Sequence, residues 1–202
     1  MDFFLPPRII FLRHGETDWN VEYRLQGQRD TPLNGRGRDQ ARAVGRRLRD
    51  YFGDATPALD DDLDFVASPL SRARHTMELA RAAMGLDPER YRTDESLVEL
   101  SFGAWEGLTW DELKAQDPLA AHERERDKWR YQPPGGESYA MLAARVEPWL
   151  QRLQREAFVV SHGGVARVLM AMIGGMPIEK APMAEIKQGR ALIFDNGASR
   201  WL

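Results

Sequence analysis

Residues 8–15 read RIIFLRHG, and the fold class turns on this stretch. Ile9, Ile10, Phe11 and Leu12 form a continuous apolar run without alternation, the pattern of a strand buried on both faces of a sheet. The run ends on Arg13 and His14. A cation and an imidazole at the carboxyl end of a buried parallel strand lie where open α/β sheets usually bind ligands.

Further strand signals at 64–67 (DFVA), 157–160 (AFVV) and 191–194 (ALIF) alternate with helical patterns, which predicts an α/β fold with a largely parallel sheet. Asn34 is placed to cap a helix with Ala41, Val44, Leu48, Tyr51 and Phe52 at helical spacing and Arg38, Arg42, Arg46 and Arg49 on another face. A second helix is expected from Ser68 as N-cap and Pro69 as first residue, ending at Gly85. Thr109-Trp-Asp-Glu112 reads as a capping box, and the charged run from Pro118 to HERERDKWRY as an exposed helix. PPGGES at 133–138 reads as a loop whose Ser138 caps a helix reaching Glu156 and kinked at Pro148. Asp195-Asn-Gly197 predicts a hairpin, hence an antiparallel edge to the sheet.

With 202 residues, 43% of them hydrophobic, the chain suits one domain spanning 1–202. The net charge of −3 gives no overall basic field, so neither nucleic acid nor a membrane surface is an expected partner. Zero cysteines exclude disulfides and thiolate chemistry. No basic region followed by an apolar leader opens the sequence and no run approaches about 20 apolar residues, so a cytoplasmic location is the default expectation.

Three strand ends carry matching polar groups: Arg13 and His14 after the first, Ser68 to Arg72 after the second, and Ser161-His-Gly-Gly164 after the strand at 157–160. On one edge of a parallel sheet these groups form a set of donors sized for phosphate, supported by helix N-termini of the right polarity.

The motifs LRHGETDWN, LQGQRDTPLN, SPLSRARHT, LVELSFGAWEGLT, PPGGES and VVSHGGVAR, in this order from residue 8 to about 170, resemble the histidine phosphatase superfamily, the phosphoglycerate mutase-like proteins. The resemblance implies a three-layer αβα sandwich with a cap at about 104–137. It also implies that His14 is the phosphorylated nucleophile, that Arg13, Arg72 and His162 bind the transferring phosphoryl group, and that Glu99 is the proton donor. Asn20, Gln26, Gly27 and Gly163 would line the same pocket, with no metal and no cofactor. Only the family pattern selects Glu99 over the neighbouring Glu95 and Glu106.

The residues support that chemistry independently. A neutral imidazole attacks phosphorus when its second nitrogen is hydrogen-bonded, and Arg13, Arg72 and a cationic His162 would neutralise the equatorial oxygens. A bidentate Arg72 fork is expected to grip the phosphoryl oxygens, and a carboxylic acid must protonate the leaving alkoxide. His75 and His122 read as structural and the arginines of 36–49 as a solvated face. Trp105, Trp110 and Trp129 suit either a pocket wall or a satellite core.

The expected activity is a phosphomonoesterase acting on a small phosphorylated metabolite. The rivals are a cofactor-dependent phosphoglycerate mutase and a non-catalytic phospho-ligand binding module. Against the mutase, TWDELK follows FGAWEGL where mutases place an asparagine-lysine pair, and WRYQPPGGES is similar to the phosphatase loop. Sugar phosphates, phosphoglycerates and α-ribazole phosphate all stay open as substrates, as do monomer and homodimer as assemblies.

Overall fold

The computed structural model describes residues 6–202; the sequence reading of the first residues falls partly on 1–5, which lie outside the described part. The elements in chain order are β1 (Ile9–Arg13), α1 (Asp18–Val21), α2 (Gly35–Phe52), α3 (Leu59–Asp62), β2 (Asp64–Ala67), α4 (Ser71–Met84) and β3 (Arg92–Thr93). They continue with α5 (Trp110–Gln116), α6 (Pro118–Arg126), α7 (Tyr139–Gln151), β4 (Ala157–Ser161), α8 (Gly163–Met172), β5 (Ala191–Asp195) and β6 (Ala198–Trp201).

The sheet order is β3-β2-β4-β1-β5-β6. The first four strands are parallel, and β5 and β6 run antiparallel to their neighbours. Alternation within each buried strand divides the core into two layers. Ile9 and Phe11 point with Val159 and Phe194 towards α7 and α8. Ile10 and Leu12 point with Phe65 and Val160 towards α2 and α4. Full burial of each such side chain is worth about 1.5–3 kcal/mol, which is why the apolar run in β1 does not alternate. The result is the expected mostly parallel sheet between two helical layers with an antiparallel edge. Asn196 and Gly197 both have positive φ, 49° and 75°, at the β5–β6 turn, as a two-residue hairpin requires.

Several local expectations hold in detail. Asn34 caps α2 through Gly37, Thr109 and Glu112 form a capping box on α5, and Ser138 caps α7 through Met141. Others change. The fourth helix begins at Ser71 with Leu70 as an N-cap lacking a side-chain bond, not at Ser68. Ser68 instead extends β2 by one residue, donating its N–H to the Val160 carbonyl at 2.9 Å. The helix after Ser138 ends at Gln151 rather than Glu156, with Pro148 inside it. Tyr51, expected on the apolar face of α2, is 44% exposed, while Phe52 next to it takes the place against the core layer. The short β3 and α1 carry too little periodicity to be read from sequence.

Trp105 is buried and stacks on Tyr131 with centroids 5.6 Å apart, forming with Leu113 and Ala120 a satellite core within residues 105–131. Trp129 stacks on Tyr139 at the edge of the main core. No described helix is long and apolar enough to cross a membrane.

Candidate active site

Strand register assembles the site. Arg13 is paired with Ser161 across β1 and β4, and Ala67 with Val160 across β2 and β4. The residue after each strand stays in the ladder: His14 donates its N–H to the Ser161 carbonyl at 2.9 Å, beside the equivalent bond made by Ser68. His14 and His162 therefore lie side by side, ring centroids 5.1 Å apart, 3% and 0% exposed.

His14 Nδ1 lies 2.7 Å from the Gly15 carbonyl. A carbonyl only accepts, so the proton sits on Nδ1 and the lone pair on Nε2. His162 Nε2 lies 2.7 Å from Ser68 Oγ. Among the described residues no other acceptor meets the Ser68 hydroxyl hydrogen, which assigns that hydrogen to Nε2 and the His162 proton to Nδ1. Burial, then Arg72, then Arg13 hold His14 well below the ordinary histidine value. Burial, Arg72 and His14 do the same to His162. Burial beside two guanidiniums thus favours the neutral form of His162 over the cationic form expected from the sequence.

The arginines are anchored rather than free. Arg72, fully buried, donates Nη1 to the Arg29 carbonyl at 2.7 Å and Nη2 to the Gly27 carbonyl at 2.8 Å. These bonds use two of its five N–H donors; Nε and the second hydrogen of each Nη stay available, which is compatible with the expected bidentate grip on phosphate. Arg13 donates Nη1 to the Ile186 carbonyl at 3.0 Å; burial and Arg167 push its pKa down to about 10. Of the five buried side-chain polar atoms without a partner among the described residues, three are here: Arg13 Nε, Arg72 Nε and His162 Nδ1. Three unsatisfied donors from three strand ends are costly unless an anion meets them.

Glu99 Oε1 accepts the Gly164 N–H at 2.9 Å and the Leu100 N–H at 2.8 Å. A Cβ on Gly164 would overlap that carboxylate, so the residue type at the start of α8 sets how close Glu99 comes. A Cβ built on Gly163 would stand 3.8 Å from Arg13 Nε and 3.9 Å from Glu99 Oε2, which brings the cation and the carboxylate to one place.

The other expected lining residues act through the backbone of the pocket. Asn20 Oδ1 accepts from Thr17 N–H at 3.1 Å in a capping box and from Gln188 Nε2 at 3.0 Å. Gln188 also donates to the His14 carbonyl at 3.1 Å. Gln26 Oε1 accepts the Thr31 hydroxyl at 2.7 Å, and Gly27, at φ 51°, supplies its carbonyl to Arg72.

Sequence reasoning missed Ser68 as the partner of His162 and missed Arg145, and it weighed Glu106 only as a rival proton donor to Glu99. Glu106 Oε1 accepts the N–H groups of Gln28 at 3.0 Å and Phe102 at 3.2 Å, tying the Arg72 turn to the loop beyond Glu99. Arg145 donates Nη1 to the carbonyls of Ser96 and Val98 at 2.9 and 3.0 Å and pairs with Glu137, which accepts the Ser101 N–H at 3.1 Å. Glu99 thus sits on a segment clamped on both sides. None of these contacts has a local sequence signature; His75 and His122 are exposed outside the site.

The family model of the histidine phosphatase superfamily (branch 1) matches residues 9–201. The chain belongs to the histidine phosphatase superfamily. A 2,3-bisphosphoglycerate-dependent phosphoglycerate mutase of Methylobacterium radiotolerans is 33% identical over 194 residues, covering 92% of this chain and 88% of that one. A glucosyl-3-phosphoglycerate phosphatase of Mycobacterium tuberculosis is 35% identical over 192 residues, covering 87% and 78%. The crystal structure of an alpha-ribazole phosphatase from Shigella flexneri superposes with a TM-score of 0.76 at 29% identity, covering 96% and 94%. Members of this histidine phosphatase superfamily among the relatives are thus named as phosphatases and as mutases.

The depressed imidazoles give a pH prediction. In phosphate-free buffer the ring resonances of His14 and His162 are expected to keep their neutral positions through about pH 6.5, where free histidine titrates. The unfolded chain takes up those protons first. Stability should therefore fall with acid, by about 1.4 kcal/mol per pH unit for each imidazole, from about pH 6.5 down to its folded-state value. NMR titration and urea unfolding in that window check both statements; ring shifts moving at about pH 6.5 would put a charge back on the pair.

Proposed function

We propose that the chain is a phosphomonoesterase that works through a phosphohistidine at His14, without a metal, on a small phosphorylated metabolite. One observation carries the reading: an imidazole with its lone pair fixed on Nε2 stands beside three buried donors that lack a partner. A phosphoryl group with its equatorial oxygens on Arg13 Nε, Arg72 Nε and His162 Nδ1 satisfies all three and brings phosphorus to the nucleophile.

In the first step His14 Nε2 bonds to phosphorus, the bond from phosphorus to the ester oxygen breaks, and Glu99 delivers a proton to the departing oxygen. In the second step Glu99 takes a proton from water, the water oxygen bonds to phosphorus, and the P–N bond breaks to return neutral His14 and phosphate. Phosphoryl transfer needs positioning and charge neutralisation, which the arginines and helix α8 supply.

The test is one preparation assayed on a panel of phosphorylated metabolites with a strong chelator present. Phosphate release that survives prolonged chelation is the expected result. Loss with chelator and recovery with a divalent ion would overturn the metal-free reading. Isomerisation without release would make the protein a mutase, and binding without either a phospho-ligand module.

A further inference from the structure

Two side-chain amides beside the nucleophile are locked against each other. The Thr17 N–H reaches the Asn20 side chain at 3.1 Å, and the Gln188 side chain reaches the His14 carbonyl at 3.1 Å. A backbone N–H only donates and a backbone carbonyl only accepts, so the Asn20 atom is Oδ1 and the Gln188 atom is Nε2. Neither amide can be turned over. They meet as donor and acceptor, Gln188 Nε2 to Asn20 Oδ1 at 3.0 Å.

Both hydrogens of Gln188 Nε2 are thereby taken, one by His14 and one by Asn20. Asn20 Oδ1 also accepts the Thr17 hydroxyl at 3.2 Å, so it is held by three donors. Among the described residues Asn20 Nδ2 donates to no protein group, which leaves its two hydrogens for a ligand.

Strand topology explains why a side chain does this. On one side β1 keeps its ladder with β4 as far as His14, whose N–H reaches the Ser161 carbonyl. On the other side pairing with β5 stops at Leu12 and Ala191. Just before β5 the chain takes a left-handed turn at Gly189, φ 67°, and the residues ahead of that turn stand in for the missing strand. The Ile186 carbonyl takes Arg13 Nη1 at 3.0 Å, and the Gln188 side chain takes the His14 carbonyl.

We propose that Gln188 is a positioning residue that fixes Asn20 with both Nδ2 hydrogens free for an oxygen of the phosphoryl group at His14, without itself touching substrate. This rests on the phosphomonoesterase reading for the identity of the ligand. Without the Gln188 donor only Thr17 orients the Asn20 amide, so a phosphoryl oxygen meets a donor that must first be ordered.

A double-mutant cycle read with inorganic phosphate tests it. Gln188→Met keeps the length of the side chain and removes the donor. By calorimetry it should bind phosphate roughly five- to tenfold more weakly than the wild type, the scale of one impaired hydrogen bond to a charged group. In an Asn20→Ala background the same substitution should cost less than about twofold, because the group it positions is gone. Equal losses in both backgrounds, or none in either, overturn the proposal. A measurement on the wild type stands whether or not the variants fold. On adding phosphate, the Asn20 side-chain amide protons should shift in NMR spectra while those of Gln188 stay near their free positions. Gln188 protons that respond as strongly as those of Asn20 would make it a ligand-binding residue and overturn the positioning role. Phosphate binding needs no turnover. Failure to release phosphate from any ester would therefore overturn the phosphatase reading and leave the cycle standing.

Discussion

In His14→Ala protein, phosphate release from every ester is expected to fall on the order of a million-fold, the scale of losing a covalent nucleophile. The fold and the pocket should persist. Arg72 keeps its carbonyl partners on the 27–29 turn and Arg13 keeps Ile186, so the donors stay in place while the attacking lone pair is gone. Substrate affinity should therefore change far less than turnover. Rapid quenching of the wild type with labelled ester should trap acid-labile phosphate on His14, and the variant none. The alternative chemistry, in which His14 merely deprotonates water for direct attack, makes a different forecast. General base catalysis is worth about a hundred- to ten-thousandfold, and no phosphoenzyme would form in either protein.

Glu99→Gln should separate substrates by their leaving groups. An alkoxide needs a proton to depart, whereas nitrophenolate does not, so alkyl phosphates should lose roughly a hundred- to ten-thousandfold in rate and nitrophenyl phosphate far less in its first step. The amide oxygen can still accept the Gly164 N–H that Oε1 accepts now, so the substitution removes the proton chemistry and keeps the placement. Water attack on the phosphohistidine should slow as well, since the same carboxylate takes the proton there. A burst of nitrophenol stoichiometric with enzyme, followed by slow turnover, is the expected trace. Equal slowing of both substrates without a burst would move the role to another carboxylate, with Glu16 and Glu106 next to test.

What the sequence disclosed and what it withheld divide along a physical line. Burial on both faces writes itself into Ile9–Leu12 as an unbroken apolar run, and caps such as Asn34 and Ser138 write themselves into neighbouring residues, so the sheet and most long helices were legible. The strand-end residues Arg13, His14 and His162 were legible for the same reason: position on the sheet edge follows from the strands. Contacts that span the chain leave no such trace. Nothing near Arg145 announces that it grips the carbonyls of 96 and 98, and nothing near Arg72 announces that it is anchored to the carbonyls of Gly27 and Arg29. The protonation of His162 was misjudged because it depends on how completely water is excluded, a property of the whole packed site. Ser68 was read as a cap because Ser-Pro often opens a helix; here the helix starts three residues later and the hydroxyl goes to His162.

β1, which leads into His14, precedes the other five strands in the chain and is among the last to find its neighbours. β1 is bordered on one side by residues 157–161 and on the other by residues 191–194, so neither partner exists until most of the chain has left the ribosome. Such distant pairings must meet their loop-closure entropy before any contact rewards it, which predicts slow folding and an interval in which an apolar edge is open to wrong partners. A truncation that removes β5 and β6 should therefore turn β1 from an inner strand into an open edge, with the backbone of Ile9–Leu12 paired on one side only.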